Sequence, residues 1–279
     1  MSIRDILVQT DDTLASIPRL RAAADLARRF QAHLTGAFLA TETPPDFLLG
    51  DESYITFTPE IVAEVMNTHA ETLAGRSESA RQTFENAAGE AGVRSEWRTA
   101  TRDARAWLVS AARRSDLLVI PRSVAPCLAR DAIAAGDVAL SMGGPVLITP
   151  ENDFAPSVGK RILVAWNGSR EASRALRDAW PLIAEAEELH ILVVSSKGNL
   201  GPDAGLQRLI EHHGLVANLI VDPSDDGSAG DILRRQVEAQ HADLVVMGLY
   251  GRPRLQELVL GGVSRQMLAE SPVPMLVSH

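Results

Sequence analysis

The chain alternates between short, continuous apolar runs and longer stretches in which apolar residues recur every third or fourth position. Runs of the first kind fall near residues 3–9, 33–40, 93–98, 116–121 and 145–149, and again near 160–166, 188–195, 216–222, 243–248 and 274–278. They are rich in Val, Ile and Leu, the pattern of strands buried on both faces. Between them lie helix-length segments such as 18–31 and 171–184. Strand and helix in alternation predict a parallel, doubly wound α/β sheet. Thr13 and Ser169 stand where the N-caps of the first helix after each opening strand are expected.

The pattern occurs twice. Arg4-Asp5-Ile6-Leu7-Val8 resembles Lys160-Arg161-Ile162-Leu163-Val164. Asp116-Leu117-Leu118-Val119-Ile120 resembles Asp243-Leu244-Val245-Val246-Met247, and Pro145-Val146-Leu147-Ile148-Thr149 resembles Pro274-Met275-Leu276-Val277-Ser278. Ile6 and Ile162 are 156 positions apart but Asp116 and Asp243 only 127, so the first copy holds 29 extra residues before its fourth strand. Most of them must lie in 41–92. Residues 41–57, with Pro44, Pro45 and Gly50, read as an irregular loop. Residues 58–91 read as a long helix with Ile61, Val62, Val65, Met66 and Leu73 on one stripe, expected to pack on the sheet. A cover over a neighbouring site is the alternative for that helix. The division is therefore 1–150, a polar linker 151–159 containing Pro156 and Gly159, and 160–279.

Composition supports two ordinary folded units and excludes some partners. The 279 residues are 46% hydrophobic and only 4% aromatic, so the cores must be built from Ala, Val, Leu and Ile. The net charge of −9 argues against nucleic acid or an anionic membrane as main partner, since both call for basic surfaces. One cysteine, Cys127, permits no internal disulfide and is read as a half-buried spectator in a reducing cytoplasm, a catalytic thiol being the alternative. Met1 to Asp5 open straight into a strand-like run, so no export signal is expected, and no apolar stretch reaches the ~20 residues that span a bilayer.

The candidate chemistry lies after the second copy's fourth strand. Met247-Gly248-Leu249-Tyr250-Gly251-Arg252-Pro253-Arg254 leads through 255–260 to Gly261-Gly262-Val263-Ser264-Arg265. Glycines let backbone N–H groups approach phosphate oxygens, and a helix opening near Gly262 would aim its free N–H groups at the same point. That point is at the carboxyl edge of a parallel sheet, where such folds bind ligands. The dinucleotide fingerprint is missing after the first strand, and Gly159-Lys160-Arg161 lacks the rest of a P-loop.

These residues resemble the universal stress protein family in its tandem two-domain form. Gly248, Gly251 and Gly261 fit that family's Gly-x2-Gly-x9-Gly spacing, followed by Gly262 where the family has Ser or Thr, then Val263 and Ser264. The resemblance implies two tandem, doubly wound, parallel five-stranded sheets, Rossmann-like and akin to the adenine nucleotide alpha hydrolases. They would pack as an intramolecular pseudo-dimer through their final strands. It implies a cytoplasmic, non-catalytic stress-response protein that binds ATP, ADP or AMP, with or without Mg2+, and tandem chains that can pair further. The nucleoside would meet Asn167, in place of the family's Asp, and backbone groups at Val193 and Val194. The phosphates would meet the edge formed by Met247, Gly248, Gly251, Arg252, Gly261, Gly262, Val263 and Ser264. Losing a hydroxyl at Gly262 would weaken the site by about 0.5–1.5 kcal/mol. Ser264, Arg252 and Arg254 are candidates to compensate, a solvated loop face being the alternative for the arginines.

The first copy departs further. Pro121 replaces a glycine and removes a donor, and Asp137 stands where the family's hydroxyl would be. Asp137 is expected to cap a helix instead, and Asp11 and Asp12 are the only ribose-facing groups left there. His212 and His213 are about 100° apart on a helix and form no two-ligand metal face. Neither the His-x-Gly-His nor the Ser-Gly-Gly-x-Asp-Ser signature of nucleotidyl transferases is present. Slow nucleotide cleavage and a nucleotide-free interaction module remain as alternatives.

Overall fold

A computed structural model describes residues 2–40, 58–101, 103–127, 132–151, 154–194, 204–222, 228–249 and 262–279. In the first half, strands β1 (Asp5–Thr10), β2 (His33–Leu39), β3 (Ser95–Ala100), β4 (Leu117–Pro121) and β7 (Val146–Thr149) alternate with helices α1 (Ser16–Phe30), α2 (Pro59–Ala91), α3 (Ala104–Ala112) and α4 (Ala135–Met142). A two-residue hairpin, β5 (Ser123–Val124) with β6 (Ile133–Ala134), is inserted after β4. The second half has β8 (Arg161–Trp166), β9 (Glu188–Val194), β10 (Asn218–Asp222), β11 (Leu244–Gly248) and β12 (Met275–Ser278). Its helices are α5 (Arg170–Asp178), α6 (Trp180–Ile183), α7 (Ala204–His212), α8 (Ala229–Ala239) and α9 (Gly262–Glu270).

The strands form one ten-stranded sheet in the order β3-β2-β1-β4-β7-β12-β11-β8-β9-β10. Each half has the same doubly wound order and is parallel throughout, and the halves join where β7 and β12 pair antiparallel, Leu147 opposite Leu276. The expected meeting of final strands is thus made, and it fuses the two expected sheets into one. Val146, Leu147, Ile148, Met275, Leu276 and Val277 are all at most 1% exposed. Burying each is worth about 1.5–3 kcal/mol, which makes this seam part of the core. Both cores run across it. One face carries α1, α2 and α5–α7, the other α3, α4, α8 and α9.

Local devices repeat with the sequence. Asp116 Oδ2 accepts the backbone N–H of Arg4 at 2.7 Å and of Asp5 at 3.1 Å. Asp243 accepts those of Gly159, Lys160 and Arg161 at 2.8, 3.0 and 3.2 Å. The repeated Asp is therefore a clasp on the start of the opening strand. Burial pushes the Asp243 carboxyl up, and the three N–H groups pull it back.

The extra helix behaves differently from its stripe. α2 buries Leu73, Ala80, Phe84 and Ala88, while Ile61 is 44% exposed and Val62, Val65 and Met66 are only partly covered. The Phe84 ring lies over Gly36 of β2, where a Cβ would come within 2.9 Å of it. Packing is therefore carried by the C-terminal two-thirds of α2. The loop expected over 41–57 lies outside the described residues.

Candidate functional site

A strand order that reverses at its centre leaves a crevice beyond the carboxyl ends of the two central strands. In the second half those strands are β8 and β11, paired with Met247 beside Ala165. Asn167 follows β8, Val194 ends β9 and Gly248 ends β11, so one edge of the sheet carries all three. β12 runs parallel to β11, so the connecting helix α9 must start at that same edge, and its first residue is Gly262.

The turn after β8 is built by its own residues. Asn167 Oδ1 accepts the N–H of Ser169 at 3.0 Å, and Gly168 has φ +72°, a left-handed conformation that favours glycine. Ser169 caps α5 as expected, its hydroxyl accepting from Ala172 N at 3.1 Å. Asn167 is exposed, and among the described residues none accepts a hydrogen bond from its NH2 group. Gly248 has a close neighbour. A Cβ there would lie 2.4 Å from the Glu171 carbonyl carbon and 2.5 Å from Ala172 N, so the first turn of α5 rests directly on this glycine.

The remaining expected residues divide. Met247 is a core residue, 4% exposed. Gly262 is exposed, with nothing within 4 Å of where a Cβ would stand. Val263 is partly covered and Ser264 is 7% exposed on the buried side of α9. Gly251, Arg252, Arg254 and Gly261 lie outside the described residues.

The same edge of the first half is filled by its own side chains. Asp11, the counterpart of Asn167, accepts the Thr13 N–H at 2.9 Å through Oδ1 and the Thr13 hydroxyl through the same oxygen. Its other oxygen takes Arg19 Nη2 at 3.2 Å, while Arg19 Nε donates to Gln9 O at 2.7 Å. The Arg19 side chain is 3% exposed, and burial pulls its pKa down against the opposing field of Asp11. Asp12 takes a two-pronged bond from Arg76 of α2, at 2.8 and 2.7 Å, which holds its carboxyl below the usual range. Through Arg76, α2 thus reaches the turn after β1. Nothing in the sequence pairs Arg76 with Asp12, since 64 positions separate them.

Two expectations are corrected here. Thr13 does not cap α1, because the helix starts only at Ser16, behind Ala15; the Thr13 hydroxyl donates to Asp11 instead. Asp137 is not an N-cap: Ala134 precedes α4, and Asp137 lies inside its first turn, 3.8 Å from Arg105. It still favours the helix electrostatically. His212 and His213 are both exposed, and the His213 ring also meets the edge of Trp180 at 4.1 Å between centroids. Cys127 is buried among Phe38, Ala40, Leu73 and Ala80, and burial pushes its thiol up, as an inert hydrophobe requires. Among the described residues no helix is long and apolar enough to cross a membrane.

Comparison with known proteins finds similarity to one family. Residues 223–279 match the model of the universal stress protein family. The universal stress protein Slr1230 of Synechocystis sp. is 29% identical over 145 residues, 49% of this chain, and the match spans 47% of that relative's length. A crystal structure of a universal stress protein from Archaeoglobus fulgidus has the same fold, with TM-score 0.68 at 19% identity over 98% of this chain and 96% of that one. A Pseudomonas aeruginosa protein provisionally given the same family name follows, with TM-score 0.60 at 18% identity over 99% and 93%. The chain is thus similar to the universal stress protein family over residues 223–279, a segment in the half that carries the glycine pattern.

Proposed function

We propose that the chain binds ATP, or a related adenine nucleotide, at the carboxyl edge of its second half and acts in stress response as a nucleotide-dependent scaffold without efficient catalysis. The base and ribose lie against the ends of β8 and β9, with the Asn167 NH2 donating to a ribose oxygen. The phosphates meet the Gly248–Gly251–Gly261 loop and the N-terminus of α9, with or without Mg2+ between them. The observation that carries this reading is the contrast between the two edges. In the first half Arg19 and Arg76 occupy both acidic groups. In the second, among the described residues, no charged side chain pairs across Asn167 and Gly262.

Gly262 supports a second reading, an interaction module that binds no nucleotide, because the first turn of α9 lacks the family's hydroxyl. Calorimetry with ATP, ADP and AMP separates the two. Binding below millimolar Kd that is abolished by Gly251→Asp, with the far-UV spectrum unchanged, is the expected result. No heat from any of the three nucleotides at millimolar concentration would favour the interaction module.

A further inference from the structure

Arg122 follows Pro121, where the second half has Leu249. Its backbone carbonyl accepts from Ala135 N at 3.0 Å, the first residue of α4. Its side chain crosses into the other half. Nη1 donates to Ala269 O at 2.5 Å and Nη2 donates to Ser271 O. Both carbonyls sit at the end of α9, where the helix dipole favours a cation. Burial lowers the Arg122 pKa, and Glu151 and Glu270 oppose that shift. One residue thus ties the start of α4 to the end of α9.

We propose that Arg122 is a positioning residue for the phosphate-binding edge: the altered loop of the first half holds α9 from its far end and fixes where Gly262 presents its N–H groups. This rests on the nucleotide reading above. α9 has nine residues, about 13 Å of helix, so it moves as a unit. Among the described residues, its other side-chain hydrogen bonds come from its own half. Gln266 Nε2 donates to Asp231 Oδ1 at 2.7 Å and Glu270 accepts from Arg234 at 2.8 Å. Arg122 supplies the tie from the other half, acting on the last turn. Ser271, which accepts it, is 1% exposed and is itself held by a 2.7 Å bond from its hydroxyl to Val273 O. The loop that lost its own glycine has gained a use in its neighbour's site.

The test compares full-length wild type with Arg122→Ala and Arg122→Lys by native-state hydrogen exchange and by ATP calorimetry. In Arg122→Ala the amides of α9 exchange about tenfold faster while those of β1 and β2 do not change. The Kd for ATP rises about fivefold. Arg122→Lys keeps the charge with a less directed donor and falls between the two, which keeps the test open should the alanine variant not fold. Unchanged exchange in α9 overturns the proposal, and so does faster exchange with an unchanged Kd. A wild type that binds no adenine nucleotide defeats the nucleotide reading by itself, and the exchange arm then still decides whether Arg122 holds α9.

Discussion

The two halves of the sheet share a strand order, a turn and a clasp, yet the described side chains at their carboxyl edges differ: Asp11 and Asp12 are paired with arginines, and Asn167 is not. Asp11 and Asn167 make the same turn, each side chain accepting the N–H two residues on. Asp116 and Asp243 clasp the same strand starts. The divergence comes from a few substitutions at matched positions. Gln9 and Arg19 stand where the second half has Ala165 and Ala175, and Pro121 stands where it has Gly248. α1 begins at Ser16, the counterpart of Ala172, and so starts two residues later in the repeat than α5. A fold can thus keep its framework intact and fill the crevice of one half with side chains alone.

The largest test removes the filling. Arg19→Ala leaves Asp11 and the Gln9 carbonyl without their buried partner and should destabilise the protein by about 4 kcal/mol, read as a lower urea midpoint with unchanged m-value. A loss under 1 kcal/mol would mean that water replaces the guanidinium and that the edge is not sealed. Next comes the glycine that the second half keeps. Gly248→Ala puts a Cβ against the α5 backbone and should cost about 3 kcal/mol, because neither strand end nor helix can yield as a side-chain tip would. The same variant displaces the Asn167–Ser169 turn, so ATP affinity should fall with it. Unaltered stability would mean that α5 sits farther from β11 than the structure places it.

Most of the framework was legible because buried parallel strands are written as continuous apolar runs. The observed strands lie within two residues of those expected at their starts and their ends. The Ser169 cap was equally visible. What could not be read were contacts between residues far apart in sequence: Arg76 on Asp12, Arg19 under Asp11, Arg122 on Ala269. Each is an arginine that composition alone would leave on the surface. The hairpin of β5 and β6 was missed because two residues carry no periodicity. The stripe of α2 misled for a physical reason as well. Helical spacing marks a face, but Ile61 lies at the exposed end of the helix, and the contact falls to Leu73, Ala80, Phe84 and Ala88. Spacing singled out Gly248 as a candidate, whereas its close contact with α5 needed the fold.

The smallest expected effect is also the sharpest probe of the comparison. Gly262→Ser restores a hydroxyl at the first residue of α9, where a Cβ meets nothing within 4 Å and φ is not in the left-handed range. The substitution is therefore free of steric cost, and serine is a better helix residue than glycine by a few tenths of a kcal/mol. That gain in helix stability is separable from binding by Gly262→Ala, which has the propensity and lacks the hydroxyl. A hydroxyl donating to a phosphate oxygen should tighten ATP by about fivefold, roughly 1 kcal/mol, in the serine variant alone. Equal affinities for the serine and alanine variants would show that α9 order, and not the missing donor, limits binding. The matching change in the first half, Asp137→Ser, should create no second site in calorimetry. It removes an acid from the first turn of α4, but Arg19 and Arg76 still occupy Asp11 and Asp12 and Pro121 still lacks its N–H. A stoichiometry of two nucleotides per chain in that variant would mean that the carboxylate at Asp137, and not the filled crevice, is what closes the first half.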